Sequence, residues 1–81
     1  MRLLKFWADW CKPCKQQTEL LKDFSDCPVE SIDVEKEENV EIVNKYGVRG
    51  LPTLVLLDDR NEVKETFRGL TTLDKIRDVM S

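Results

Sequence analysis

Two cysteines spaced two residues apart mark the point where an apolar run gives way to a helical pattern, and that junction constrains the fold more than any other stretch. The run is Leu3, Leu4, Phe6, Trp7 and Ala8, and the pair lies in Trp10-Cys11-Lys12-Pro13-Cys14. Such a pattern places a thiol at the start of a helix that follows a buried strand. First-turn N–H groups lack intrahelical acceptors and carry partial positive charge, so a sulfur held there is stabilised as thiolate. Pro13 suits the position, since a missing N–H costs little in a first turn and its φ is preset. A thiolate beside a second thiol is a redox pair, because the mixed disulfide formed by one is resolved by the other.

Length and charge narrow the alternatives. Eighty-one residues suffice for one small domain, residues 1–81, around one core. No apolar run is long enough to cross a bilayer. Lys5 and Asp9 interrupt the N-terminal hydrophobic stretch and no small-residue cleavage pattern follows it, so no signal peptide is expected and the cytoplasm is the expected compartment. Thiols stay reduced there, and three cysteines cannot form a disulfide framework, which leaves a close pair as catalytic or metal-binding. Zinc usually takes four Cys or His ligands, whereas this chain has no histidine and only Cys27 beyond the pair. Redox chemistry is therefore favoured over a metal site or two core cysteines. Net charge is −3, yet residues 1–22 carry five basic against two acidic side chains and the remainder eight against fourteen. The pair sits in the positive part of an acidic chain, which favours thiolate and argues against a nucleic-acid footprint.

Periodicity orders the rest. Residues 2–8 read as a buried strand, and 11–24 as a helix with Cys14, Thr18, Leu21 and Phe24 inward and Lys15, Gln16, Glu19 and Lys22 outward. Val29 to Val34 alternates as a second strand, with Val29, Ser31 and Asp33 on one side and Glu30, Ile32 and Val34 on the other. After an acidic loop, Glu35 to Glu38, a short helix runs from about Asn39, its expected N-cap, to Tyr46, with Gly47 as its stop. Thr53 to Leu57 is a strand too apolar to have an exposed face. A turn at 58–61 joins it to an alternating strand over 62–68, and Thr71 or Thr72 caps a last helix with Leu73, Ile76, Val79 and Met80 inward. The order β-α-β-α-β-β-α predicts an α/β fold: one mixed four-stranded sheet with three helices on its two faces.

At this point the residues resemble the thioredoxin family. Phe6 to Lys15 is similar to its strand-to-helix active-site segment, Lys45 to Thr53 to its cis-proline loop, and Arg68-Gly69-Leu70 stands where it has a third substrate-facing loop. The resemblance covers nearly the whole chain and implies sheet order 2-1-3-4. It assigns Cys11 as an exposed attacking thiolate and Cys14 as the recessed resolving thiol. Lys12 and Pro13 support the pair, and Trp10, Leu51 and Leu70 frame an apolar landing surface. Pro52, if cis, together with Gly69, holds substrate backbone against Leu51.

Four departures modify that picture. The family's opening strand and helix have no counterpart ahead of Arg2, which makes this a short, N-terminally trimmed member of glutaredoxin size. Lys5 replaces the family's buried aspartate. The lysine that accompanies the aspartate has no clear match, since Glu30 or Ser31 falls there. Glu19 stands where a helix-kinking proline is common, which predicts a straighter helix. Two accounts of Lys5 follow: a charge-reversed pair with Glu30 beneath the cysteines, Glu30 taking the resolving proton, or a stem lying along the sheet with its ammonium in water. Cys27 is expected to be an apolar filler.

The expected function is reduction of disulfides in other proteins by a monomeric enzyme without cofactor, recharged by a thioredoxin reductase. A glutathione-linked glutaredoxin-like enzyme and a non-catalytic binding subunit are the alternatives.

Overall fold

A computed structural model describes residues 1–81 and arranges them as the periodicity predicts. Strand β1 (Arg2–Trp7) leads to helix α1 (Lys12–Leu21), β2 (Val29–Asp33), α2 (Val40–Lys45) preceded by one 3₁₀ turn (Glu37–Asn39), β3 (Thr53–Leu57), β4 (Val63–Arg68) and α3 (Leu73–Met80). The sheet order is β2-β1-β3-β4. β1 runs parallel to β2 and antiparallel to β3, which forms a hairpin with β4. The crossover through α1 imposes the parallel pair and the short turn the antiparallel one.

Alternation along β1 and β3 divides the core in two. Leu3, Leu54 and Leu56 pack under α1 and α3 with Leu21, Phe24 and Ile76. Leu4, Phe6, Val55 and Leu57 face the other way with Ile32, against Ile42, Val43 and Tyr46 of α2. β3 is buried along its whole length, which explains why its sequence shows no polar face. Asn61 (φ 64°) and Gly47 (φ +61°) adopt the left-handed conformation expected of them.

Four details differ from the sequence-based expectation. Helix α1 stops at Leu21, because the chain tightens into i→i+3 bonds, Lys22 N–H to the Glu19 carbonyl (3.3 Å) and Phe24 N–H to that of Leu21 (3.0 Å), which swing Phe24 inward. Its buried face is Cys14, Gln17 and Leu21, while Thr18 is exposed with its hydroxyl turned to Lys5. Asn39 does not cap α2 with its side chain, which instead donates to the Asp33 carbonyl (2.8 Å) and ties the loop to β2. Lys5 and Glu30 do not pair. The register sets Glu30 opposite Leu4 and Lys5 opposite Ser31, so the two charges point to opposite faces of the sheet. Glu30 meets Arg2 at 3.4 Å in solvent.

Candidate active site: a disulfide at the N-terminus of α1

Cys11 is the N-cap of α1, in extended conformation (φ −89°, ψ 104°), with Lys12 and Pro13 opening the helix. Its Sγ accepts the N–H of Cys14 at 3.2 Å. No acidic residue occupies the first turn, so no carboxylate competes with the sulfur for the orphan amides. Cys11 and Cys14 are joined as a disulfide with Cα atoms 5.3 Å apart, within the usual range for such bonds. Both sulfurs rest in a small apolar nest with Ala8, against Trp7, Val34 and Leu51. Cys11 is 4 % exposed and Cys14 2 %. The first cysteine is thus less open than expected, because Leu51 and Val34 close over the nest.

The Leu51–Pro52 peptide bond is cis. Pro52 is buried, and its carbonyl accepts the Gly69 N–H (2.9 Å), which fixes the loop after β4 against the loop before β3. Leu51 has two sides. One faces a groove of about 260 Å³ lined by Trp10, Val34, Val43 and Val48. The other, with Gly69, Arg49 and Arg68, lines a cleft of about 670 Å³. Trp10 is 67 % exposed, so a large aromatic surface stands beside the disulfide with nothing covering it. Leu70 is also exposed and lines neither depression. Lys12 and Pro13 lie in solvent at the helix start.

Behind Cys14 the wall is polar. Lys5, 7 % exposed, donates from Nζ to Thr18 Oγ1 at 2.7 Å, and Thr18 in turn donates to the Cys14 carbonyl at 3.0 Å. Burial holds the Lys5 ammonium pKa below its ordinary value. The ammonium is tied to Thr18 at the margin of a cavity open to solvent, not to Glu30. Cys27 stays a free, half-buried thiol against the α1–α3 core, and burial pushes its pKa up, as suits an inert filler.

One residue near the site escaped the sequence reading. Gln17 is fully buried, and its amide makes two bonds to the backbone of one residue, Nε2 to the Thr71 carbonyl (2.9 Å) and the Thr71 N–H to Oε1 (2.8 Å). It pins α1 to the loop that carries Gly69. The available signal was weak: with Cys14 and Leu21 seven apart, Gln17 and Thr18 share the face equally, and hydrophobicity favours Thr18.

A dithiol/disulfide couple at a helix N-terminus, beside a cis-proline loop on a four-stranded mixed sheet, defines a thiol–disulfide oxidoreductase. The family model for Thioredoxin matches residues 1–81, and the chain belongs to the thioredoxin family. It is 38 % identical over 71 residues to a thioredoxin of Rickettsia bellii, covering 84 % of this chain and 67 % of that one. With a thioredoxin of Rhodospirillum rubrum the identity is 40 % over 57 residues, 67 % of this chain and 55 % of the relative. Among solved structures, a single-site mutant of a thioredoxin from Halobacterium salinarum superposes with a TM-score of 0.78 at 42 % identity, covering 96 % of this chain and 69 % of that one. The chain thus spans between about half and two thirds of the length of the two sequence relatives.

Proposed function

We propose that residues 1–81 act as one thioredoxin-like domain that reduces disulfides in other proteins, as a cytoplasmic monomer recharged by a thioredoxin reductase. The observation that carries this reading is the Cys11 sulfur accepting a first-turn amide beside an uncovered apolar groove. In the reduced protein the same amide stabilises Cys11 as thiolate. An extended substrate segment lies across Trp10 and Leu51, and the thiolate attacks its disulfide. One substrate sulfur leaves, and Cys11 holds the other as a mixed disulfide. Cys14, which loses its proton, then attacks Cys11 Sγ. The second substrate sulfur departs as thiolate and the Cys11–Cys14 bond forms, so two electrons have passed to the substrate. The couple needs no bound cofactor. No helix is long and apolar enough to cross a membrane.

Turnover of a disulfide-bonded protein such as insulin tests the proposal, with the chain recharged either by NADPH and a thioredoxin reductase or by glutathione and glutathione reductase. Turnover with the first system is expected. Turnover with glutathione alone would assign the chain to glutaredoxin-like chemistry instead. A Cys11→Ser, Cys14→Ser double variant that kept full biological activity would show a binding subunit.

A further inference from the structure

Lys5 has little exposed surface and no carboxylate partner, an arrangement that is costly unless something offsets it. Lys5 forms no ion pair; its one bond is to a neutral hydroxyl, that of Thr18. Isolation is imposed by its surroundings: Leu54 is its partner across β3 and Ser31 across β2. The lysine lines a cavity of about 490 Å³ that is open to solvent and is shared with Cys14, Trp7, Ala8 and Ser31. That volume holds several waters at roughly 30 Å³ each.

We propose that Lys5 is the positioning residue for the resolving step: its ammonium stabilises Cys14 as thiolate, and the cavity between them carries the released proton to solvent. The proposal rests on the dithiol reading of Cys11 and Cys14. A cation lining the same cavity as Cys14 favours the ionised thiol, since an opposite charge nearby stabilises a thiolate. Resolution then needs no carboxylate base. Cys14 S–H gives its proton to cavity water, its thiolate forms the bond to Cys11 Sγ, and the bond from Cys11 to the substrate sulfur breaks. Thr18 holds the ammonium in place, accepting from Lys5 and donating to the Cys14 carbonyl. The other charges around the cavity are Asp9, Lys15 and Glu19, all exposed on its outer wall, and Glu19 is paired with Lys22 at 2.8 Å. Asp33, further along β2, accepts the Glu35 N–H (2.9 Å). Solvent screens the outer charges more than it screens Lys5.

Two measurements decide it. In the reduced protein, Cys14 Cβ is followed by NMR across pH in the parent and in Lys5→Met, which keeps the stem and removes the charge. The Cys14 pKa is expected to rise by about one unit, a tenfold loss of thiolate below that pKa, with Lys5→Arg restoring most of it. Mixed-disulfide resolution should slow in parallel and recover at higher pH. The second measurement needs no variant, because coupling between two protons is reciprocal. The pKa of Lys5, read from its ε-CH₂, should be higher with Cys14 ionised than in the disulfide form. An unmoved Cys14 pKa in a folded Lys5→Met, or a Lys5 pKa identical in both redox states, would overturn the proposal. Failure of the parent dithiol to exchange with dithiothreitol at all would instead sink the oxidoreductase reading beneath it.

Discussion

Replacing Cys14 by serine is expected to leave the chain covalently fastened to its substrate. Cys11 keeps its place at the start of α1 and its amide donor, so attack and capture proceed. The hydroxyl that now stands in the resolving position cannot displace a thiolate from a disulfide, and the cycle halts at the mixed disulfide. Turnover should fall by about three orders of magnitude or more, as when a nucleophile is removed elsewhere. Non-reducing electrophoresis should show a substrate-sized adduct that dithiothreitol releases. Cys11→Ser should lose as much turnover and form no adduct. An adduct from Cys11→Ser with none from Cys14→Ser would reverse the two roles.

The second large effect concerns stability. Gln17→Met keeps the length of the side chain but strips both partners from the Thr71 backbone, whose N–H and carbonyl are tied to the Gln17 amide inside the fold. Each buried group left unpaired costs about 1–3 kcal/mol, so a loss of about 3 kcal/mol is expected. For a domain of this size that corresponds to a fall in Tm of more than about 10 °C. Urea unfolding followed by Trp fluorescence measures it. A change below about 0.5 kcal/mol would mean that water takes over both bonds and that Gln17 is not what fastens α1 to the Gly69 loop. Gln17→Glu separates the two bonds, since a carboxylate still accepts from the Thr71 N–H but offers its carbonyl nothing.

What could be read from the residues was whatever local pattern decides. The strand-to-helix junction at Cys11, the stop at Gly47, the turn at Asn61 and the unbroken apolar run of β3 each follow from a short-range rule, and together they set the topology. The positions that resisted are those decided across the chain. A pairing of Lys5 with Glu30 suggests itself because alternation along each strand is legible, whereas the register between two parallel strands joined through a helix is not. One step of register separates facing charges from charges on opposite faces. Gln17 was missed for a related reason: a polar side chain inside a helix face reads as exposed until its partner, 54 residues away, is known. The outline of the site was legible in Cys11, Cys14, Trp10 and Pro52. The polar wall behind Cys14 was not, since Thr18 has no mark in sequence that ties it to Lys5.

The direct test of the central claim is the rate of alkylation of the reduced protein by iodoacetamide as a function of pH, with the modified residue identified by mass spectrometry. Cys11 should react first, with a midpoint well below the roughly 8.5 of an ordinary thiol, while Cys27 remains unmodified until far higher pH. Cys11 titrating as an ordinary thiol, or another cysteine reacting ahead of it, would contradict the account.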